Sequence, residues 1–320
     1  MNYKKSIILV KYLSGKWKMD DSLCLDILKL LHTDYLAENN QVRDFVSEFS
    51  FIIGKGGKIY PKIRILNLIF PKMMIVSDIV KIKQSRMDSI VNILEKLQQE
   101  KIILFDLDKI EDLLNYVNKN PEWLLQFGME LGKNGKLRIK IYFGRANREK
   151  EELNFMADLV IKIGRIFNAK YNKLAIFPIL ENNIDAMALD ITENGCSLKI
   201  YDYFHFPNKE QMDHILKKCR LINRIGEDSQ SVFFRKLIEK NKIYGHRNFD
   251  TMVTYRFEDN SLELKGVKVN THLNPHMDAE KLLKKIINKS NGYIFDYLEK
   301  GKLKVSFVGN QPDEFFFYVR

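Results

Sequence analysis

The sequence predicts an α+β fold: a closed ten-stranded antiparallel β-barrel of five ββα repeats, surrounded by a ring of α-helices. Three observations predict it. Five strand-rich, hairpin-like segments recur along the 320 residues. Helical patterns separate them. Within the strands, apolar residues alternate with polar ones, as in "GKLRIKIYF", where Leu137, Ile139 and Ile141 share one face and Arg138, Lys140 and Tyr142 the other. A ββα unit cannot bury its apolar face alone. Side-by-side hairpins form a continuous sheet that helices cover on one side, and closure removes both edges. The opposite face then lines a lumen that can enclose a ligand. An open sheet with the basic face in bulk solvent is the alternative arrangement.

The elements follow in order. Residues 1–40 read as an N-terminal helical segment, with Asp20-Asp21 at a cap, and the whole chain, 1–320, as a single domain. The first hairpin is "VSEFSFIIGKGGKIYPKIRILNLIF", turning at Gly56-Gly57. A helix "SDIVKIKQSRMDSIVNILEKLQQE" follows, opened by a Ser-Asp cap, then a second one over Asp106 to Asn118. The second hairpin, "LLQFGMELGKNGKLRIKIYFGR", turns at Asn134-Gly135, and the third, "IDAMALDITENGCSLKIYDYF", at Asn194-Gly195. Such pairs tolerate the positive φ of tight hairpins. Between these two hairpins, "NREKEELNFMADLVIKIGRIF" opens with acids and closes with bases, as the helix dipole favours. "NKEQMDHILKKCRLI" and a segment from Ser231 to Lys242 read as the next helices. The fourth hairpin, "FDTMVTYRFEDNSLELKGVKVNTHL", turns near Asp259-Asn260, and Gly266 leaves its second strand without a firm register. The helical pattern "DAEKLLKKIINK" precedes the last strand segment, "GYIFDYLEKGKLKVSFVGNQPDEFFFYVR".

Composition narrows the function. Hydrophobic residues at 45% and aromatics at 12% argue against disorder. No apolar run approaches the roughly 20 residues needed to span a bilayer. The start "MNYKKSIILVKYL" lacks a cleavage site and reads as no signal peptide. Cys24, Cys196 and Cys219 are far apart and form no CxxC, so a reduced, cytoplasmic protein without structural zinc is expected. The net charge of +11 points to an anionic small substrate or to nucleic acid, unless it is simply a solvated lysine surface. Its placement on strands is more telling than its size. Lys140-x-Tyr142 and Lys199-x-Tyr201 put the same pair on the face opposite the helices in two successive hairpins.

With that repeat and those two Lys-x-Tyr pairs, the chain resembles the ABBA aromatic prenyltransferases, over residues 42–320. Their fold, the prenyltransferase or PT barrel, is a ten-stranded antiparallel barrel inside a ring of helices. The chain is most similar to the peptide-modifying, cyanobactin-type branch. The resemblance implies a catalytic glutamate on the first strand and a phosphate-binding arginine on the second, and Glu48 and Arg64 stand at the matching positions. It also implies transfer of a dimethylallyl or geranyl group from a prenyl diphosphate to an aromatic or other nucleophilic acceptor, a small molecule or a peptide side chain.

The pattern of the residues is compatible with those roles. Phe49, Phe51 and Ile53 suit the helix side, which turns Glu48 and Ser50 to the lumen, and Ile63 and Ile65 likewise turn Tyr60, Lys62 and Arg64 inward. Arg64, Lys140, Lys199 and Lys268 lie on the second strands of four hairpins and could converge on a diphosphate, extended by Lys62 and Arg138. Tyr142, Tyr201 and Tyr318 could shield an allylic cation. Leu66 and Asn270 stand where a tyrosine is expected in the first and fourth repeats. Glu48 would be the general base, with Glu130, beside Gln126 on the third strand, as the backup carboxylate.

No DDxxD motif and no HxxxH or HxH spacing is present, and His272 stands alone. No metal site and no tightly bound cofactor are expected, although Mg²⁺ could escort the diphosphate while keeping most of its waters. A monomer with neither nucleic acid nor membrane as partner is expected. Two alternatives stay open: a basic α+β repeat protein that binds nucleic acid through Lys and Tyr, and a catalytically inactive barrel.

Overall fold

The structure is a computed structural model. It describes residues 3–32, 44–53, 59–68, 76–103, 107–132, 136–145, 153–166, 184–192, 195–205, 207–223, 250–257, 263–272, 305–311 and 314–319. The helical patterns at 231–242 and 278–289 and the turn at Asp259-Asn260 lie outside the described residues.

Among the described residues, six helices are α1 (Tyr3–Trp17), α2 (Ser22–His32), α3 (Val76–Gln99), α4 (Leu107–Lys119), α5 (Leu153–Ile166) and α6 (Lys209–Asn223). Ten strands are β1 (Asp44–Ile53), β2 (Ile59–Leu68), β3 (Trp123–Gly132), β4 (Leu137–Arg145), β5 (Ile184–Thr192), β6 (Gly195–His205), β7 (Asp250–Phe257), β8 (Leu264–His272), β9 (Val305–Gln311) and β10 (Glu314–Val319). The fold is thus helices on antiparallel, hairpin-connected strands, and the chain divides into two compact units.

The first unit holds Met1–Ser47, Ile63–Asp202 and Arg256–Lys265. Its strand order is β2-β3-β4-β5-β6. The helix side of this sheet is apolar without a break: Trp123, Leu125, Phe127 and Met129 on β3, Ile139, Ile141 and Phe143 on β4, Met187, Leu189 and Ile191 on β5, Leu198 and Ile200 on β6 are all buried. The strict period of two produces that surface, because successive side chains in a strand point to opposite faces. Helices α3 and α4 pack on β3, and α5 packs on α4. Their stripes at helical spacing, Ile90, Ile93, Leu94 and Leu97 on α3 and Ile110, Leu113, Leu114 and Val117 on α4, supply the other half of the core. Tyr116 stacks on Phe155 at 5.0 Å and 8°, and Trp123 meets the same ring at 5.2 Å. The N-terminal pair joins through α2 against α3, where Lys96 Nζ lies 2.9 Å from Asp26. Asp20 opens α2 by accepting from the Ser22 backbone N–H at 2.9 Å.

The second unit holds Glu48–Lys62, Tyr203–Tyr255 and Gly266–Arg320, with strand order β1-β10-β9-β8-β7. Here α6 turns Met212, Ile215, Leu216 and Cys219 inward. Its last residue clasps β8: Asn223 Nδ2 donates to Val267 O at 2.8 Å, and the Val267 N–H donates to Asn223 Oδ1 at 2.7 Å. A Cβ on Gly266 would come within 2.9 Å of that Oδ1, so the glycine makes room for the clasp. With this anchor, Val267 and Val269 are buried, and Lys268 and Asn270 alternate with them on the other face. Among the described residues, no helix is long and apolar enough to cross a membrane.

Candidate anion-binding site

The polar face of the first unit is assembled by register. On β3 and β4, Gln126 pairs with Tyr142, Gly128 with Lys140 and Glu130 with Arg138. On β4 and β5, Lys140 pairs with Asp190 and Tyr142 with Ala188. On β5 and β6, Ala188 pairs with Lys199, Asp190 with Ser197 and Ala186 with Tyr201. Opposed residues share a face, so these side chains form one continuous patch. Small residues at Gly128, Gly144, Ala186 and Ala188 leave the space that the long ones fill. Gly144 is covered by the Gln126 amide, which a Cβ there would meet at 3.3 Å.

Charge alternates from strand to strand across this patch. Arg64 on β2, Arg138 and Lys140 on β4 and Lys199 on β6 are separated by Glu130 on β3 and Asp190 on β5. Lys140 Nζ donates to Glu130 Oε1 at 2.5 Å, and Lys199 Nζ donates to Asp190 Oδ2. Arg138 bridges the two acids, 3.9 Å from Glu130 Oε2 and 3.6 Å from Asp190 Oδ2. Arg64 lies 4.0 Å from Glu130 Oε1 and donates to the Tyr142 hydroxyl at 2.8 Å. The Tyr142 and Tyr201 rings sit 6.0 Å apart at 37°. Burial is deep at the centre: the side chain of Asp190 is 2% exposed, Lys140 7% and Lys199 12%, whereas Arg138, at 36%, reaches water.

The electrostatics follow from this sharing. Burial pulls the Lys140 ammonium down, but Asp190 and Glu130 outweigh it and raise its pKa above the usual lysine value. Burial also pulls Lys199 down, and here it prevails: Asp190 opposes it, the nearby Lys140 and Arg138 add to it, and the pKa falls to about 7. The two lysines differ because Lys140 faces two carboxylates, while Lys199 shares its one with Lys140 and Arg138. Burial alone would raise Asp190, but Lys140, Lys199 and Arg138 hold it below the ordinary carboxylate value. Burial pushes the Tyr201 phenol well up, so it stays a neutral hydroxyl.

Four basic side chains and two tyrosine rings on one partly desolvated face can take a polyanion and hold a developing cation beside it. The structure brings together Arg64, Arg138, Lys140, Lys199, Tyr142 and Tyr201 among the residues singled out by sequence. Lys268 is buried on β8 in the second unit, and Lys62, half-buried, also belongs to that unit. Glu48 lies on β1, and Tyr318 on β10 opposite Ser50; the side chains of Glu48 and Tyr318 lie outside what is described. His272 takes a register position opposite Phe307, two along from Asn270. Sequence reasoning singled out neither Asp190 nor the engagement of Glu130 by Lys140. The signal for Asp190 was present in "IDAMALDIT", where Met187, Leu189 and Ile191 give the apolar face and leave Asp190 on the other.

No protein-family model matches the sequence, and no curated protein matches it. Solved structures do match the fold. The chain is similar to a 6-dimethylallyl tryptophan synthase at 11% identity and a TM-score of 0.53, over 86% of this chain and 80% of that one. It is similar to NotF, solved in complex with brevianamide F and DMSPP, at 12% identity and a TM-score of 0.60, over 98% and 92%. It is similar to AnaPT from Neosartorya fischeri at 11% identity and a TM-score of 0.56, over 97% and 91%. At such identities the likeness is one of fold, and the chain shares the α+β fold of these three proteins along most of its length.

Proposed function

We propose that the protein is a prenyltransferase that moves a dimethylallyl or geranyl group from a prenyl diphosphate to a nucleophilic, aromatic side chain of a peptide or amino acid. In this reading residues 1–320 form a single domain, its ten strands close into one prenyltransferase barrel, and it works as a cytoplasmic monomer of the cyanobactin-type branch. The observation that carries it is the cationic face itself: Arg64, Arg138, Lys140 and Lys199 share one sheet face with the Tyr142–Tyr201 pair. The fold shared with a dimethylallyl tryptophan synthase and with a protein solved with DMSPP supports the same reading.

In the reaction, the allylic C–O bond of the donor breaks and its electron pair leaves with the diphosphate, which carries about three negative charges in all. Lysine and arginine side chains stabilise that charge most strongly where water is partly excluded. Arg64, Lys140 and Lys199 bind the leaving group, with Arg138 at the wetter edge and Lys62 and Lys268 extending the site. The faces of Tyr142, Tyr201 and Tyr318 shield the allylic cation, each worth roughly 0.5–2 kcal/mol by cation–π attraction. The acceptor attacks the allylic carbon, and Glu48 takes the proton it sheds. Among the described residues, no group of three or more His, Cys, Asp or Glu is placed to hold a metal ion. Mg²⁺ would arrive on the diphosphate, keeping most of its waters.

The test is to incubate the protein with dimethylallyl or geranyl diphosphate and a panel of aromatic amino acids and peptides. A mass gain of one or two isoprene units on an acceptor is the expected result. No gain with any acceptor, together with no diphosphate binding by calorimetry, would sink the reading.

A further inference from the structure

An anion site would be stronger without Glu130 and Asp190. Both sit on the cationic face, and each repels an incoming diphosphate. Asp190 is 2% exposed, a place where a lone carboxylate is strongly disfavoured. It is retained among three cations: Lys199 bonds its Oδ2, Arg138 lies 3.6 Å from the same oxygen, and Lys140 is its cross-strand partner. Its other oxygen, Oδ1, is buried and accepts no hydrogen bond among the described residues. Among the described residues, Asp190 is therefore held through one oxygen. Glu130 is engaged at both oxygens, by Lys140 and Arg64 at Oε1 and by Arg138 at Oε2. Every cation of the patch is thus held by an acid that a diphosphate could replace.

We propose that Glu130 and Asp190 are internal counterions of the cationic face, holding Lys140, Lys199 and Arg138 in place without ligand and ceding these partners to the diphosphate when it binds. The proposal rests on the prenyl-diphosphate reading and deepens it. The two acids make them positioning residues, since they act through the cations and not on the reacting carbon. They keep buried ammonium groups from collapsing apart or losing their protons. They also compete with the product diphosphate and so speed its release.

The role predicts the opposite of a simple structural one. Asp190→Asn and Glu130→Gln remove a competitor, so inorganic diphosphate should bind the full-length variants about tenfold tighter than the native protein, since each substitution removes a like charge from the face that takes the anion. Ligand-free Asp190→Asn should melt earlier than the native protein, and diphosphate should raise its Tm by a larger step. In turnover, KM for the prenyl diphosphate and kcat should both fall. Calorimetry with inorganic diphosphate and thermal melts with and without it read these effects, and Glu130→Gln serves alone if Asp190→Asn does not fold. Native binding with equal or weaker binding by the variants overturns the counterion role and leaves the prenyl-diphosphate reading standing. No binding by the native protein overturns both.

Discussion

In the first unit the polar face is knitted by ion pairs, whereas in the second unit hydrogen bonds between neutral groups clasp α6 to β8 and pair Thr251 with Thr271. In the first, Arg64, Glu130, Arg138, Lys140, Asp190 and Lys199 form one connected network. In the second, the same-phase positions of β7 and β8 include Asp250, Met252, Thr254, Gly266, Lys268, Asn270 and His272, and the register continues through Gly309 to Phe316. The helix-facing phase there carries a buried Thr251–Thr271 hydroxyl pair, 3.2 Å apart. Thr254 Oγ1 and Asn270 Oδ1 are buried and accept no hydrogen bond among the described residues. The difference follows from the size of the penalty. A buried charge without a partner costs far more than a buried hydroxyl or amide without one, so charges enter a face only in compensating sets. Neutral polar groups can remain unpaired at about 1–3 kcal/mol each.

The largest test of that comparison is Lys140→Met. It keeps the volume but leaves Glu130 and Asp190 short of their shared cation. We expect a loss of about 3–5 kcal/mol in urea unfolding, together with lost diphosphate binding. A loss below 1 kcal/mol would mean that the charges are not coupled as described. In the second unit the corresponding weak point is the neutral clasp. Asn223→Ala removes both hydrogen bonds to Val267, with an expected cost of about 1–3 kcal/mol. Gly266→Ala should act in the same direction, through its contact with Asn223. If either exceeds Lys140→Met, the ranking of charged over neutral networks is wrong.

A smaller effect comes from pH. Lys199 holds a pKa near 7 when folded, against about 10.5 unfolded, so between these values the unfolded chain binds the extra proton. Its contribution makes stability rise with pH across that window. Lys83, whose burial lowers it to about 8, adds the same sign from 8 upward. Lys199→Met should flatten the slope between 7 and 8 in denaturant unfolding. A slope unchanged by the substitution would show that Lys199 keeps its proton throughout. Asp190 acts at the other end: its folded pKa is lowered, so its contribution is present above about 3.8 and is lost as pH falls through the folded value. The smallest loss is expected at Thr254→Val, which should cost nothing and can stabilise the ligand-free protein by up to about 1–3 kcal/mol, because the hydroxyl removed is buried without a partner among the described residues. A loss on chemical unfolding would reveal a partner for that hydroxyl.

Much of the site was legible in the sequence because strand alternation is local. The phase of "KLRIKIYF" assigns Ile139 and Ile141 to the core and Lys140 and Tyr142 to the polar face without knowledge of any neighbour. The same alternation puts Arg64 and Lys199 on that face. Lys268 is harder to place, because Gly266 obscures the period; the clasp that holds Val267 comes from Asn223, 44 positions earlier on another element.

The sequence by itself determined which residues share a face within each strand, and with it the helical and strand periods, the basic stripe and the paired tyrosines. Only the tertiary structure decided what lies beside what. Lys140 meets Asp190 because β4 and β5, with α5 between them in the chain, pair in one register out of several that so long a connection allows. A slip of two residues would keep every side chain on its own face and still part that pair. Orientation within a strand is set by the pleat of a few residues, whereas the company a charge keeps is set by contacts between segments some 50 residues apart, as for Lys140 and Asp190.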